Sequence, residues 1–290
     1  MDKYIICMDA SGDIDPKFAK DNSILFLPMN YTLSNEFRTC AEMESEEILH
    51  KFYDGQRNGD LTKTTQITPF QYSEYFEKYL KQGISIIYIS LSSGLSNTFQ
   101  SAQLASQDLE EKYKNTKVIP IDSLSATGGI GVLVQLAVKN LNSGMTIDEN
   151  ADNIKKMTHY IHHFFMVEDL MYLKRGGRIS GATAIVGSLL NFKPILEIDP
   201  VGKLVTIDKK RGKKQGLLSL LGYFEGDFDS SVTKDVYICH ADCISSADFI
   251  REEILQKHPE LNITVTMLSP VIGAHTGPDM VSILYLGKKS

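Results

Sequence analysis

The chain has 290 residues, 42% of them hydrophobic, enough for one large or two ordinary domains with a sizeable core. Its 30 lysines and arginines stand against 36 acidic residues, a formal net charge of -6, so the overall field repels nucleic acid and anionic lipid surfaces and any anion site must be local. No stretch approaches the ~18 uninterrupted apolar residues of a membrane span, and the opening MDKYIICMD carries no secretory pattern, so a cytoplasmic protein without an integral membrane segment is expected.

Residues 4–8 form an apolar run that empties into Asp9-Ala10-Ser11-Gly12-Asp13, a strand followed by a small polar turn. Residues 23–29 (SILFLPM) are a second strand candidate, residues 31–38 an irregular arm, and residues 43–53 a helix with Glu44, Glu46 and Glu47 near its positive end. The segment Asp60-Leu61-Thr62-Lys63-Thr64-Thr65-Gln66-Ile67-Thr68-Pro69 breaks the pattern before a helix that Thr68 caps and Pro69 opens. Thr64 and Thr65 sit too early for capping, which makes them candidate ligand-binding hydroxyls.

Residues 84–89 (ISIIYI) have the composition of a buried parallel strand, and from Gly94 onward Leu95, Phe99 and Ala102 recur at helical spacing. Between them lies Ser90-Leu91-Ser92-Ser93-Gly94-Leu95-Ser96-Asn97-Thr98. Such a turn into a helix N-terminus offers unpaired backbone N–H groups and hydroxyls to an anion; capping explains one serine but not four. The same order, strand then polar turn then helix, recurs at residues 117–121 (KVIPI), Asp122-Ser123-Leu124-Ser125-Ala126-Thr127-Gly128-Gly129 and an apolar helix over 130–141. This alternation predicts a parallel sheet with helices on both faces and a ligand outside the carboxyl ends of the strands.

A helix over 147–160 leads to residues 162–167 (HHFFMV), a strand read as the entry to a second domain, giving domains of 1–160 and 161–290. Residues 169–174 are helical and run into Lys174-Arg175-Gly176-Gly177-Arg178-Ile179, where glycine gives a tight reversal. Residues 182–190 are small and apolar, suited to an apolar ligand or to the sheet. Residues 194–198 and 204–207 read as a hairpin, and Lys209-Lys210-Arg211-Gly212-Lys213-Lys214 opens the next helix, either as a solvated face or, with Arg175 and Arg178, as a basic rim. A strand at 236–239, a helix at 247–255 and a strand at 263–268 precede a loop rich in glycine and proline that carries His275, and a last strand spans 281–286.

Cys7, Cys40, Cys239 and Cys243 have no disulfide-framework spacing, and Cys239-His240-Ala241-Asp242-Cys243 falls short of a zinc signature, so no metal is expected. There is no GxGxxG after the first strand, no GxxxxGK[ST] and no GxSxG. What remains are neutral donors for a carboxylate or phosphate, a histidine and many apolar residues, a combination that suits holding an acidic lipid better than cleaving it.

In this order and spacing, Asp9-Ala10-Ser11, Thr64-Thr65-Gln66, Ser92-Ser93-Gly94-Leu95-Ser96-Asn97-Thr98, Lys174-Arg175-Gly176-Gly177-Arg178-Ile179, Leu189-Leu190-Asn191-Phe192-Lys193-Pro194-Ile195-Leu196, Arg211-Gly212-Lys213-Lys214 and Gly273-Ala274-His275-Thr276-Gly277 resemble the DegV family of bacterial fatty-acid-binding proteins over nearly the whole chain. Ala10 and Thr65 stand where that family has serine. The resemblance implies two α/β domains, the first three-layered with a parallel sheet and the second with a mixed sheet, and a long-chain fatty acid between them with no cofactor. It implies that Thr64 or Thr65 and Ser93 hold the carboxylate, with Ser96 close by and His275 over the head group. It further implies a non-catalytic protein that presents the acid to a separate kinase, with Arg178 and Arg211 serving the phosphoryl transfer. Two other readings remain open at this stage: an enzyme, either a hydrolase using Ser93 or Ser96 with His275 or a phosphotransferase like the dihydroxyacetone kinases, and an interaction protein for which lipid is a filler.

Overall fold

A computed structural model describes residues 3–41, 44–179 and 191–289. The expectations for residues 182–190, and for Leu189 and Leu190 within their motif, fall outside the described residues. The first half begins with β1 (Tyr4–Asp9), α1 (Pro16–Asp21), β2 (Leu25–Leu27), β3 (Met29–Leu33), β4 (Glu36–Cys40), α2 (Glu46–Arg57) and β5 (Lys63–Thr65). It continues with α3 (Pro69–Leu80), β6 (Ser85–Ser90), α4 (Thr98–Lys112), β7 (Val118–Asp122), α5 (Gly128–Asn142) and α6 (Ile147–Met157). The second comprises β8 (Ile161–Met166), α7 (Met171–Arg175), β9 (Phe192–Ile198), β10 (Leu204–Arg211), α8 (Lys213–Asp227), β11 (Asp235–His240), α9 (Ile244–Lys257), β12 (Asn262–Met267), α10 (Pro270–Thr276) and β13 (Val281–Leu286).

Strands β2-β1-β6-β7 form an all-parallel sheet, as their continuous apolar runs require, since residues buried on both faces have no reason to alternate. Helices α3 and α4 pack together on this sheet, and α5 and α6 do likewise. The second half is a six-stranded mixed sheet, β10-β9-β8-β13-β11-β12, in which only β11 and β12 run parallel. Its two faces separate by the strand period of two. Phe165, Leu196, Tyr237, Cys239 and Leu284 join the core of the first half, whereas Phe164, Met166, Ile195, Val236, Ile238 and Ile283 form a second core under α8 and α9. Helix α5 touches both sheets, and Gly128 at its start permits this because a Cβ there would lie 2.7 Å from Tyr237 Cβ.

Four local expectations are corrected. The arm at 31–38 is a hairpin of β3 and β4, made possible by Ser34 and Asn35 at φ of 53° and 63°, the mirror-image turn conformation that matches strand twist. Thr64 and Thr65 are not in an irregular break but in β5, which adds to β3 and completes a three-stranded antiparallel sheet. Residues 209–211 finish β10 rather than opening a helix, and α8 starts only after Gly212, whose φ of 81° turns the chain. His275 lies on helix α10: the proline and glycine that suggest a loop are its ends, with Pro270 in the first turn and Gly277 at φ of 74° beyond the last. Thr68 caps α3 through a reciprocal capping box with Gln71, as the sequence predicts.

The halves meet where the β9–β10 turn docks on the serine loop. Ser92 Oγ donates to the Gly202 carbonyl at 2.7 Å and accepts from Gly94 N–H at 3.1 Å. A Cβ on Gly94 would sit 2.4 Å from the Gly202 carbonyl oxygen, a backbone atom with little freedom to give way. Gly94→Ala is expected to destabilise the fold by about 1–3 kcal/mol, read as a lower urea midpoint. Gly222→Ala, on exposed α8 surface with nothing near its Cβ position, is expected to stabilise by up to about 1 kcal/mol.

Candidate functional site

At the carboxyl ends of β6 and β7 the first sheet meets the second across a cavity of ≈ 630 Å³. Its apolar wall comes from both halves: Met29, Leu91 and Ala126 from the first, Phe165, Leu173, Ile198, Leu204, Val271, Ile272 and Met280 from the second. Thr64, Thr65, Ser93, Ser96, Arg178 and His275 also line it, so six of the seven residues singled out in the sequence converge on one space. Arg211 does not. It is exposed at the end of β10, paired with Phe192, and lines neither this cavity nor the cleft beside it.

The serine loop differs from its sequence-based expectation. Five of its amides are engaged rather than left open for an anion: Ser92 N–H donates to the Ser125 carbonyl, Ser93 N–H to Asp122 Oδ1, Gly94 N–H to Ser92 Oγ, and Leu95 and Ser96 N–H to the Ser92 carbonyl. Three of the four serine hydroxyls are also engaged. Ser90 donates to the Leu91 carbonyl, Ser92 bridges to Gly202, and Ser96 pairs with Thr98 Oγ1 at 2.8 Å while accepting Thr98 N–H, which is a capping role at the start of α4. Only the Ser93 hydroxyl has no hydrogen-bond partner among the described residues, and it lines the cavity. Beneath the loop, buried Asp9 accepts from Ser11 and from Tyr88, which in turn pairs with Tyr72 at 2.6 Å; burial raises the Asp9 carboxyl while these bonds oppose the rise. Ala10 is buried and does not line the cavity.

His275 and Thr64 come from opposite halves and meet at 2.8 Å, Nε2 to Oγ1. The rest of α10 is fixed to the first half by Gln56 Nε2 donating to the Gly273 carbonyl, Thr62 donating to the Ala274 carbonyl, and Ser269 N–H donating to Asp13. His275 Nδ1 is buried without a partner among the described residues, against Gly176, where a Cβ would stand 2.4 Å from it. The sequence predicts a glycine-made reversal here without distinguishing the two glycines of the Arg-Gly-Gly turn. Gly177, at φ of 69°, makes that turn, and Gly176 makes room for the imidazole, for which no sequence signal exists apart from the motif itself.

Arg178, half-buried, donates to the Leu95 and Gly176 carbonyls and has no carboxylate partner among the described residues. Burial depresses its guanidinium below the ordinary arginine value. Thr64, Arg178 and His275 line a second cleft on the outer side, whose rim adds Lys63 and Arg175, the latter stacked on the Tyr172 ring at 4.5 Å. The cavity thus holds neutral donors and, among the described residues, one cation, Arg178, with Lys63 and Arg175 added at the outer rim. Among the described residues no group of three or more histidine, cysteine or acidic side chains could hold a metal ion, and no helix is long and apolar enough to cross a membrane.

The DegV family model matches residues 3–288, and a DegV domain-containing protein of Clostridium perfringens is 34% identical over 287 residues, covering 99% of this chain and 98% of its own. The chain belongs to the DegV family. A second DegV domain-containing relative, from Lactococcus lactis, is 32% identical over 290 residues, with 99% of each chain covered. Among solved structures, DegV of Bacillus subtilis, described as a fatty acid binding protein, superposes with a TM-score of 0.83 at 27% identity over 99% of this chain and 100% of its own. A fatty-acid-binding DegV protein of Thermus thermophilus gives 0.85 at 25% identity over 98% and 99%. The Streptococcus pneumoniae Fatty Acid Kinase B3 protein, solved with linoleic acid, gives 0.85 at 19% identity over 98% and 99%, a likeness of fold. The two-domain α/β architecture is therefore that of DegV proteins.

Burial, with the Arg178 charge acting in the same direction, lowers the His275 imidazole from 6.5 to about 4. The unfolded chain therefore binds a proton that the folded DegV protein refuses, so this histidine's contribution to stability is complete above 6.5 and is lost as pH falls toward 4. The stability difference between the wild type and His275→Asn is expected to shift by up to about 3 kcal/mol across that window, measured by urea unfolding as a function of pH.

Proposed function

We propose that this protein is a non-catalytic cytoplasmic carrier of a long-chain fatty acid, held between domains of 1–160 and 161–290, that presents the carboxylate to a separate kinase. The observation that carries the reading is the Ser93 hydroxyl, alone among its neighbours in lacking a partner, on the same apolar cavity as the Thr64–His275 pair and Arg178. The tail supplies affinity: at about 0.8 kcal/mol per buried CH₂, a ~16-carbon chain offers on the order of 10 kcal/mol before ordering costs. Thr64 and Ser93 orient the head group, with Thr65 exposed at its edge, Ser96 bracing the loop and His275 above it. The fatty acids bound by the Bacillus and Thermus proteins support the ligand class.

Support for the kinase step comes from the outer cleft. It shares Thr64, Arg178 and His275 with the acyl cavity, so a phosphoryl group entering between Lys63, Arg175 and Arg178 reaches a carboxylate held by neutral donors, with no tight ion pair to break. The chain has no phosphate-binding loop motif of its own, so the donor nucleotide is assigned to the partner. A hydrolase reading lacks its geometry: His275 Nε2 faces Thr64 rather than a serine, and Nδ1 faces Gly176 with no carboxylate to orient it.

Native mass spectrometry of freshly purified protein, followed by solvent extraction, is expected to release a stoichiometric fatty acid. Protein that is empty and takes up neither oleate nor palmitate would overturn the assignment. Ser93→Ala and Thr64→Ala are each expected to weaken palmitate binding about tenfold, the size of one hydrogen bond to a charged group, by calorimetry. In a kinase-coupled assay Arg178→Ala and Arg211→Ala are expected to lower acyl-phosphate formation, Arg211→Ala without change in acid affinity; full turnover by the latter would remove Arg211 from the scheme.

A further inference from the structure

The acyl cavity shares Thr64, Arg178 and His275 with the outer cleft, and His163 and Ile198 with a small recess bounded by Leu124 and Pro200. At His163 the cavity wall is not purely apolar. His163 is 4% exposed, shares the cavity-facing side of β8 with Phe165, and leaves its Nε2 without a partner among the described residues, while its Nδ1 lies 3.4 Å from Ser125 Oγ. Thr127, 1% exposed, lines the same cavity, and its Oγ1 likewise has no hydrogen-bond partner of normal geometry among the described residues, with the Cys239 thiol its polar neighbour.

A cavity built only for hydrocarbon has no use for either atom, because a buried polar group without a partner destabilises the fold that contains it. Thr127 carries a second cost. Its φ of 54° is a conformation that β-branched residues rarely adopt, and a backbone held there is over-determined by its surroundings, here by Thr127 N–H donating to the Ser11 carbonyl. Burial keeps the His163 imidazole neutral, lowering it to about 3, so at neutral pH one ring nitrogen donates and the other accepts.

We infer that His163 and Thr127 form a polar contact point for the acyl tail, and that the preferred ligand is a long-chain acid with a hydroxyl group on its chain. A hydroxyl both donates and accepts, so it satisfies Nε2 in either tautomer, which a keto oxygen cannot. The inference rests on the fatty-acid reading above and adds a specificity determinant to it.

The test is calorimetric titration of the full, delipidated chain with stearate and with a positional series of hydroxystearates. At least one isomer is expected to bind about tenfold more tightly than stearate. That ratio is expected to fall to about one in His163→Leu and in Thr127→Gly, the latter relieving the positive φ as it removes the hydroxyl, and to survive in part in His163→Gln. If His163→Leu does not fold, Thr127→Gly carries the comparison. Stearate binding at least as tightly as every isomer overturns the inference, assigns the two polar atoms to a trapped water, and leaves the carrier reading intact. Failure of stearate and all isomers to bind overturns both.

Discussion

A cavity between two sheets keeps its width only if the sheets also touch beside it, and here the touching depends on absent β-carbons. Gly94 lies against the carbonyl of Gly202, Gly128 against Tyr237 and Cys239, and Gly176 against the His275 ring. Gly94 and Gly128 each bring an element of the second half closer to the first than an alanine would allow, Gly176 makes room within the second half for the imidazole that reaches the seam, and packed interiors transmit such displacements rather than absorbing them. The Thr64–His275 hydrogen bond crosses the same seam, so the head-group geometry is a product of how closely the halves approach. On the proposed reading, affinity for the tail and alignment of the head group are set by one surface.

The electrostatics of the site follow from burial. Both cavity histidines are held neutral by desolvation, His275 at about 4 and His163 at about 3, and the one cation, Arg178, is tied to carbonyls rather than to an acid. On the proposed reading this arrangement attracts a carboxylate without neutralising it in an ion pair. An oxygen left with its electron density is the one that can take a phosphoryl group. An arginine locked to an aspartate at the same place would give neither property.

Much of this was legible in the sequence, because strand, polar turn and helix recur with strong apolar contrast; β6, β13 and the capping box of α3 lie where periodicity puts them. What was illegible depends on partners distant in the chain. Nothing local tells Ser92, whose hydroxyl reaches Gly202, from Ser93, whose hydroxyl has no partner among the described residues, and the two are adjacent. Helix α10 was hidden because Pro270 and Gly277 mark helix ends and loops alike, and β5 because three residues show no period. His163 carried no signal: in HHFFMV it is simply part of a buried strand, and only the alternation of faces in the folded sheet turns it toward the cavity.

The six-stranded sheet is not assembled in the order in which it is made. β13 follows every other strand of that sheet along the chain, yet it sits near the centre, joining β8 to β11. Until it leaves the ribosome, β10-β9-β8 and β11-β12 are two separate pieces with open edges, and the Leu284 side chain that belongs to the shared core is missing. The pairing of β8 with β13 closes a loop of more than a hundred residues, a non-local contact of the kind that slows folding. Completion of the sheet is therefore a late, cooperative event in biosynthesis, and the nascent chain must be kept from pairing its exposed edges with those of its neighbours until then.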